Sequence, residues 1–268
     1  MAALLRSGLD SNVFSFSCNH PLFISVRNRL INTEPKSFEY YKGIQIHADT
    51  GMHEQAGALV KKYFRAGDRV LDVGAGAGAF SKRLSDFGYS VTALDVDPQK
   101  WIPKDIPFLT LDIDKGVARS VGNSYDSVCC LEVIEHVENP WNLLREIYNV
   151  TKPGGYLLLS TPNITSFSSR ALFFLTGRFH QFNDDDLAYG HISPISAFEL
   201  QHAATTIGWE MVEIKGGGYL PVFDLVALRP LLWTFAYNIL CALGSLVSKG
   251  YKDGWCLFFM LRKPEGNQ

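Results

Sequence analysis

The sequence predicts an α/β fold organised on a mostly parallel sheet, and three observations carry that expectation. Val70, Leu71, Asp72 and Val73 form an apolar run that breaks into Gly74, Gly76 and Gly78 and then becomes helical from Ala79, which reads as strand, tight turn, helix. A second acid, Asp95, closes the next apolar run about 20 residues on, the spacing of an acid that meets a ribose diol. Short apolar runs alternating with helical spacing continue down the chain, as in stacked βα units.

The elements follow in order. Residues 1–37 mix Ser, Asn, Phe and Arg without a sustained period, and Pro21 and Pro35 interrupt any helix, so they are expected to form an N-terminal arm. Phe14, Phe16 and Phe23 could instead cover a substrate mouth. A single domain is expected over 38–268. Residues 52–64 place Ala56, Leu59, Val60 and Phe64 at helical spacing ahead of the first strand. After the glycine turn a helix spans 80–87 and Gly88 stops it. The second strand is 91–94 and the third 108–111. The fourth, 127–131, is apolar without alternation, as in a strand buried on both faces. Asn139 and Pro140 supply an N-cap and a first-turn proline for a helix over 141–150. Pro153-Gly154-Gly155 turns the chain into a fifth strand at 156–160. Ser196 and Glu199 have capping-box spacing for a helix over 197–207 that Gly208 closes. The sixth strand is 210–214 and the last 255–261.

Two insertions break this scheme, at 164–192 and 216–254. The second contains a run, 230–248, with no charged residue. About 20 apolar residues span a bilayer, so this run is borderline. A true span would put the sixth and seventh strands on opposite sides of a membrane, which one sheet cannot tolerate. A buried helix, a homodimer surface and peripheral contact with the inner face of a membrane therefore compete for it.

Composition narrows the function. With 268 residues, 47% of them hydrophobic and 19% charged, the chain can bury one full α/β core plus extra elements. A net charge of -2 provides no global basic field, so no nucleic-acid partner is expected and small-molecule, glycan or lipidic substrates are favoured. Cys18, Cys129, Cys130, Cys241 and Cys256 lack metal-ligand spacing and read as reduced thiols of a cytoplasmic protein. The apolar stretch at the N-terminus is too short for a signal peptide.

The glycine turn also marks a binding site. Alternating glycines leave no Cβ between backbone and ligand and aim a helix N-terminus at it. Gly74, Gly76 and Ala79 satisfy the dinucleotide fingerprint as well, so a nicotinamide-dependent oxidoreductase stays open on the glycines alone. Asp72 favours a different ligand, because a carboxylate at the strand end suits the cationic amino group of a methionine moiety better than a pyrophosphate.

With Asp72 and its glycines, Tyr125 to His136 and Lys152 to Asn163, the chain resembles class I S-adenosylmethionine-dependent methyltransferases, in particular those of polysaccharide and quinone biosynthesis. The resemblance covers residues 45–215. It implies a Rossmann-like, seven-stranded, mostly parallel sheet of order 3-2-1-4-5-7-6, with S-adenosyl-L-methionine as cofactor. By resemblance Asp72, Gly74, Ala75, Gly76, Gly78, Asp95, Val96, Asp112, Ile113 and Leu131 are cofactor-binding candidates, Asp112 toward the adenine amine. Tyr40, Tyr41, Gln45 and His47 are candidates for closing over the cofactor.

Transfer from a sulfonium is an in-line displacement, so the protein has mainly to align acceptor and methyl group. An alcohol acceptor must also lose a proton, and neutral His136 suits that task. The spacing of Glu132, Glu135 and His136 further resembles a divalent-metal site in polyprenyl-quinone and small-RNA 3′-end O-methyltransferases, where a later histidine, here His191, completes the set. Small-RNA methylation is disfavoured by the missing basic surface. The expected reaction is O-methylation of a glycan or lipid-linked intermediate, with a polyprenyl quinone as the alternative. An inactive cofactor-binding module at a membrane is the remaining rival.

Overall fold

The computed structural model describes residues 39–122, 125–218 and 254–266. The arm at 1–37 and the charge-free run at 230–248 lie outside the described residues. In chain order the elements are β1 (Tyr40–Tyr41), β2 (Ile44–Gln45), α1 (Met52–Tyr63), β3 (Arg69–Val73), α2 (Ala79–Asp86), β4 (Ser90–Asp95), β5 (Phe108–Thr110), α3 (Ala118–Val121), β6 (Tyr125–Leu131), α4 (Pro140–Val150), β7 (Thr151–Pro162), α5 (Phe167–Thr176), α6 (Asp184–Ala188), α7 (Ala197–Ile207), β8 (Glu210–Gly217) and β9 (Cys256–Arg262).

Seven strands form one sheet of order β5-β4-β3-β6-β7-β9-β8, which in ordinals of the main sheet is the expected 3-2-1-4-5-7-6. The pairs from β5 to β7 are parallel, and β9 runs antiparallel to both β7 and β8. Parallel strands need crossover helices, which cover both faces and make the strands continuously apolar. In β3, Val70 packs on one face and Leu71 and Val73 on the other. The first face is closed by Met52, Ala56, Leu59 and Val60 of α1 with Phe80 and Leu84 of α2. The second is closed by Leu143, Leu144 and Ile147 of α4 with Leu200, Ala203 and Ala204 of α7. Leu157 and Leu158, adjacent in β7, point to opposite faces and are both fully buried, so truncating either to Ala costs about 2–5 kcal/mol.

The caps form as their residues dictate. Asn139 Oδ1 accepts from Asn142 N at 2.9 Å, and Ser196 Oγ accepts from Glu199 N at 3.1 Å. Two boundaries differ most from the sequence expectation. β8 continues through Gly216 and Gly217, which pair with Leu257 and Cys256. There a Cβ on Gly217 would sit 2.2 Å from the Phe258 ring, so the glycine serves close ring packing inside a strand. β7 begins at Thr151, before the Pro-Gly-Gly turn, because Thr151 pairs with Tyr125 across a register shift. The hairpin of β1 and β2 has no counterpart among the expected elements.

Candidate functional site

The site lies at the carboxyl ends of β3, β4 and β6, where an open α/β sheet leaves a crevice. Gly74 and Gly76 follow β3 with φ of 71° and 53°, in the left-handed region open to glycine. The amides of Gly74 and Ala75 both donate to Leu94 O, at 2.9 and 3.0 Å, which ties the turn to the end of β4. Asp95 continues that tie: Oδ2 accepts from Gly76 N at 2.8 Å and Oδ1 from Asp97 N at 3.0 Å. A Cβ on Gly74 would stand 2.3 Å from Val133 Cγ2, whereas one on Gly76 would meet no protein atom within 4 Å. Gly74 is therefore required by packing and Gly76 leaves space open.

A cavity beside this turn is walled by Asp72, Gly74, Ala75, Gly76 and Leu131 from the sheet side and by Gln45, His47, Ala48 and His53 from the segment before β3. Of the sequence candidates, Gly78, Asp95, Val96, Asp112, Ile113, Tyr40 and Tyr41 stand outside that wall. Asp112 caps its own 3-10 turn, accepting from Asp114 N at 3.2 Å and pairing with Lys115 Nζ at 2.9 Å, an ion pair that lowers its pKa. Asp72 is buried and accepts from Ser81 Oγ at 2.5 Å. Burial raises its pKa to about 7; the Ser81 hydrogen bond works against the shift and the charge of Asp95 with it. The carboxyl is thus poised to ionise when a cation approaches.

Sequence reasoning missed His53. It belongs to the buried stripe of α1, with Met52, Ala56, Leu59 and Val60. It lies one turn before Ala56 along the apolar spacing, and that was the available signal.

The end of β6 carries the second group of candidates. Glu132 adopts φ 54°, uncommon for a residue with a side chain. Its amide donates to Ser160 Oγ at 3.0 Å and its Oε1 accepts from the same hydroxyl at 2.7 Å. Its Oε2 accepts from Cys256 Sγ at 3.2 Å, which groups Glu132 with Asp49 and Cys256. Glu132 thus departs from the four-residue set expected at this strand end. The physical reason is local: the chain turns left-handed at Glu132, ahead of the 3-10 turn at Ile134–His136, and the Glu132 carboxylate is taken up by Ser160 and Cys256.

Glu135, His136 and His191 do come together, each offering a ligand atom within 4.8 Å of the others. Glu135 is fully buried; Oε2 accepts from Thr161 Oγ1 at 3.2 Å and Oε1 has no partner among the described residues. Burial first, and the charge of Glu132 second, push its pKa well above the ordinary carboxylate range. The rings of His136 and His191 meet edge to face, centroids 4.6 Å apart. His191 Nδ1 lies 2.8 Å from Gln181 O, so this nitrogen carries the proton and Nε2 is the acceptor. Burial and then His191 lower the pKa of His136, while the Gly190 backbone works in the opposite sense. A buried carboxyl group with an unpartnered oxygen and two imidazoles is a donor set that fits a divalent cation.

Residues 48–214 match a family described as methyltransferase domain. A ubiquinone biosynthesis O-methyltransferase of Burkholderia thailandensis is 28% identical over 170 residues, 60% of this chain and 73% of that protein. The like-named protein of Xanthomonas axonopodis pv. citri is 36% identical over 108 residues, 37% of this chain and 45% of its own length. A SAM-dependent methyltransferase structure from Archaeoglobus fulgidus superposes with a TM-score of 0.56 at 18% identity, covering 79% of this chain and 94% of that one, and shares the fold. The match over most of the sheet sets the nicotinamide reading aside: the chain belongs to the methyltransferase-domain family and is an S-adenosylmethionine-dependent methyltransferase of class I architecture.

Proposed function

We propose that the chain methylates a hydroxyl oxygen of a small-molecule acceptor of the polyprenyl-quinone type, with the acceptor entering beside Leu131 and the turn that follows it. The observation that carries this reading is the His136 and His191 pair at the end of β6, adjoining the strand whose Leu131 lines the cofactor cavity. The names of the two relatives above favour a quinone over the glycan or lipid-linked acceptor that the sequence alone put first.

The chemistry follows from what the residues can hold. Asp72 takes the ammonium of the cofactor's methionine moiety, and Gly76 leaves room for the ligand against the backbone. Asp95, already fixed by two amides, has acceptor capacity left for a ribose diol. Bound adenosylmethionine would supply an electrophilic methyl group, the methyl carbon passing in line from sulfur to the acceptor oxygen with adenosylhomocysteine as the leaving group; the proton lost by the acceptor would go to His136, whose pKa burial lowers. His191 keeps its acceptor nitrogen available because its other nitrogen is bound to Gln181 O. A divalent ion held by Glu135, His136 and His191 would supply Lewis-acid lowering of the hydroxyl pKa, and His136 would then be a ligand instead of the base.

Among the described residues no helix is long and apolar enough to cross a membrane. Peripheral contact through 230–248, at the inner face of a membrane, is the proposed route to a lipidic acceptor; a homodimer through the same run is the competing arrangement. Incubation of the protein with methyl-labelled adenosylmethionine and, separately, a hydroxylated polyprenyl phenol, a glycan extract and a lipid extract tests the reading. Label on the phenol's oxygen supports it. Label only in the glycan fraction overturns the acceptor and leaves the cofactor chemistry in place.

A further inference from the structure

We propose that Gln181 is a positioning residue: its side chain, anchored on Asp49, holds its backbone left-handed, and that conformation aims its carbonyl at His191, keeping the other ring nitrogen an acceptor beside His136. The inference rests on the methyl-transfer reading of the two histidines and deepens it. Gln181 is half-buried and has φ 59°, which a residue with a side chain rarely adopts. It takes the third position of a turn that Phe182 N closes on Phe179 O at 3.3 Å, and a left-handed residue there is usually glycine or asparagine. The left-handed backbone costs a factor of about 5 to 30 in population. The side chain offsets that cost: Nε2 donates to Asp49 Oδ2 at 2.8 Å, and a hydrogen bond to a carboxylate returns a factor of about 10 to 100.

The two ends of Gln181 reach different parts of the site. Its carbonyl accepts from His191 Nδ1 at 2.8 Å, which leaves Nε2 as the acceptor of a ring that meets His136 edge to face at 4.6 Å. The His191 amide is tied separately, donating to Asp186 O at 3.0 Å, so the main chain places the residue and the Gln181 carbonyl selects the tautomer. Phe182 borders the same ring with centroids 5.7 Å apart and has no polar group with which to select a nitrogen. At the other end, Asp49 follows Ala48 of the cavity wall, and its own carbonyl accepts from Met52 N at 3.1 Å where α1 begins. Glycine would make the Gln181 turn without strain. The glutamine adds the anchor on Asp49, and with it a fixed relation between the segment walling the cofactor cavity and the imidazole pair.

Histidine-selective ¹⁵N NMR of the full chain, dialysed against a chelator and held at about pH 8, above the ordinary imidazole range, reads the tautomer directly. His191→Asn assigns the signal. Wild-type His191 should carry its proton on Nδ1. Gln181→Met keeps the length and loses the amide, so the ratio of the Nδ1-protonated to the Nε2-protonated form should fall about fivefold or more. The same variant should lose about 5- to 10-fold in kcat while KM for adenosylmethionine stays within about threefold, a split that general loosening of the fold does not produce. Asp49→Ala should shift the tautomer alike, the double variant should add nothing further, and Asp49→Ala reports alone if the Met form melts early. Gln181→Gly, free of strain at positive φ, should recover part of the tautomer ratio and of kcat. An unchanged tautomer in Gln181→Met and Asp49→Ala overturns the positioning role, and so does a loss in Gln181→Gly equal to that in Gln181→Met. A tautomer that shifts while kcat holds overturns the methyl-transfer reading of the histidine pair instead, and leaves the ring's dependence on Gln181 standing.

Discussion

Asp72→Asn should make the cofactor-free protein more stable near neutral pH while weakening cofactor binding. The unfolded chain's Asp72 ionises near 3.8 and the folded chain's near 7, because burial opposes the charge. Between these values the folded state keeps a proton that the unfolded state has released, so the contribution of Asp72 to stability declines as pH rises through this window and levels off above about 7. At about 1.4 kcal/mol for each pH unit between the two values, the decline comes to about 4 kcal/mol, and Asn, which still accepts from Ser81, escapes it. Urea unfolding of both proteins at half-unit steps from pH 4.5 to 8 reads the difference. The variant should gain on the wild type by about 1.4 kcal/mol per pH unit up to pH 7 and then run parallel. Saturating adenosylmethionine should remove much of the gap, since its ammonium gives the ionised carboxylate a partner. A difference between the two proteins that stays constant with pH would refute the reasoning, and so would cofactor affinity unchanged by the substitution.

Three further outcomes are expected. Gly76→Ala, which adds a Cβ into open space at φ 53°, should cost only about 1–2 kcal/mol of stability but at least tenfold in cofactor affinity, whereas Gly74→Ala, driven against Val133, should lower the melting temperature far more; calorimetry and thermal melts of the pair separate the two roles. His136→Ala should reduce kcat about 100-fold or more with adenosylmethionine affinity nearly unchanged; full turnover would return the ring to structure, and turnover unaffected by prolonged chelation would dismiss the divalent ion. Leu232→Asp combined with Phe235→Asp should release the protein from vesicles, and a wild-type chain that ignores vesicles in sedimentation ends the membrane account.

The sheet was legible because its signals are local and agree with one another. Apolar runs without alternation mark strands buried on both faces, and Asn139-Pro140 and Ser196 fix helix starts by their own hydrogen bonds. Gly216 and Gly217 were opaque for the opposite reason: a glycine that admits the Phe258 ring reads along the chain like one that makes a turn. The glycine turn and Asp72 were readable as a ligand site from spacing. The split of Glu132 from Glu135 was not, since it depends on a left-handed residue that no residue type announces and on Ser160 and Cys256, far along the chain. His53 was hidden by its position, a polar residue in an apolar stripe whose meaning emerges only when the cavity beside it is seen.

The carbonyl of Glu135 accepts from two consecutive amides, Ile192 and Ser193, both at 2.9 Å. That fork is made of backbone alone, so it does not depend on what the preceding segment is composed of. It works as a fixed splice between the turn after β6 and the stretch running from α5 to His191. Residues 164–179 could be exchanged for another length or chemistry while His191 keeps its place beside His136, provided Gln181 and Asp186 remain, since their carbonyls accept from His191 Nδ1 and N. A change of acceptor would then require no change in the two histidines, and chimaeras cut at 164 and 179 should keep the His136 and His191 geometry.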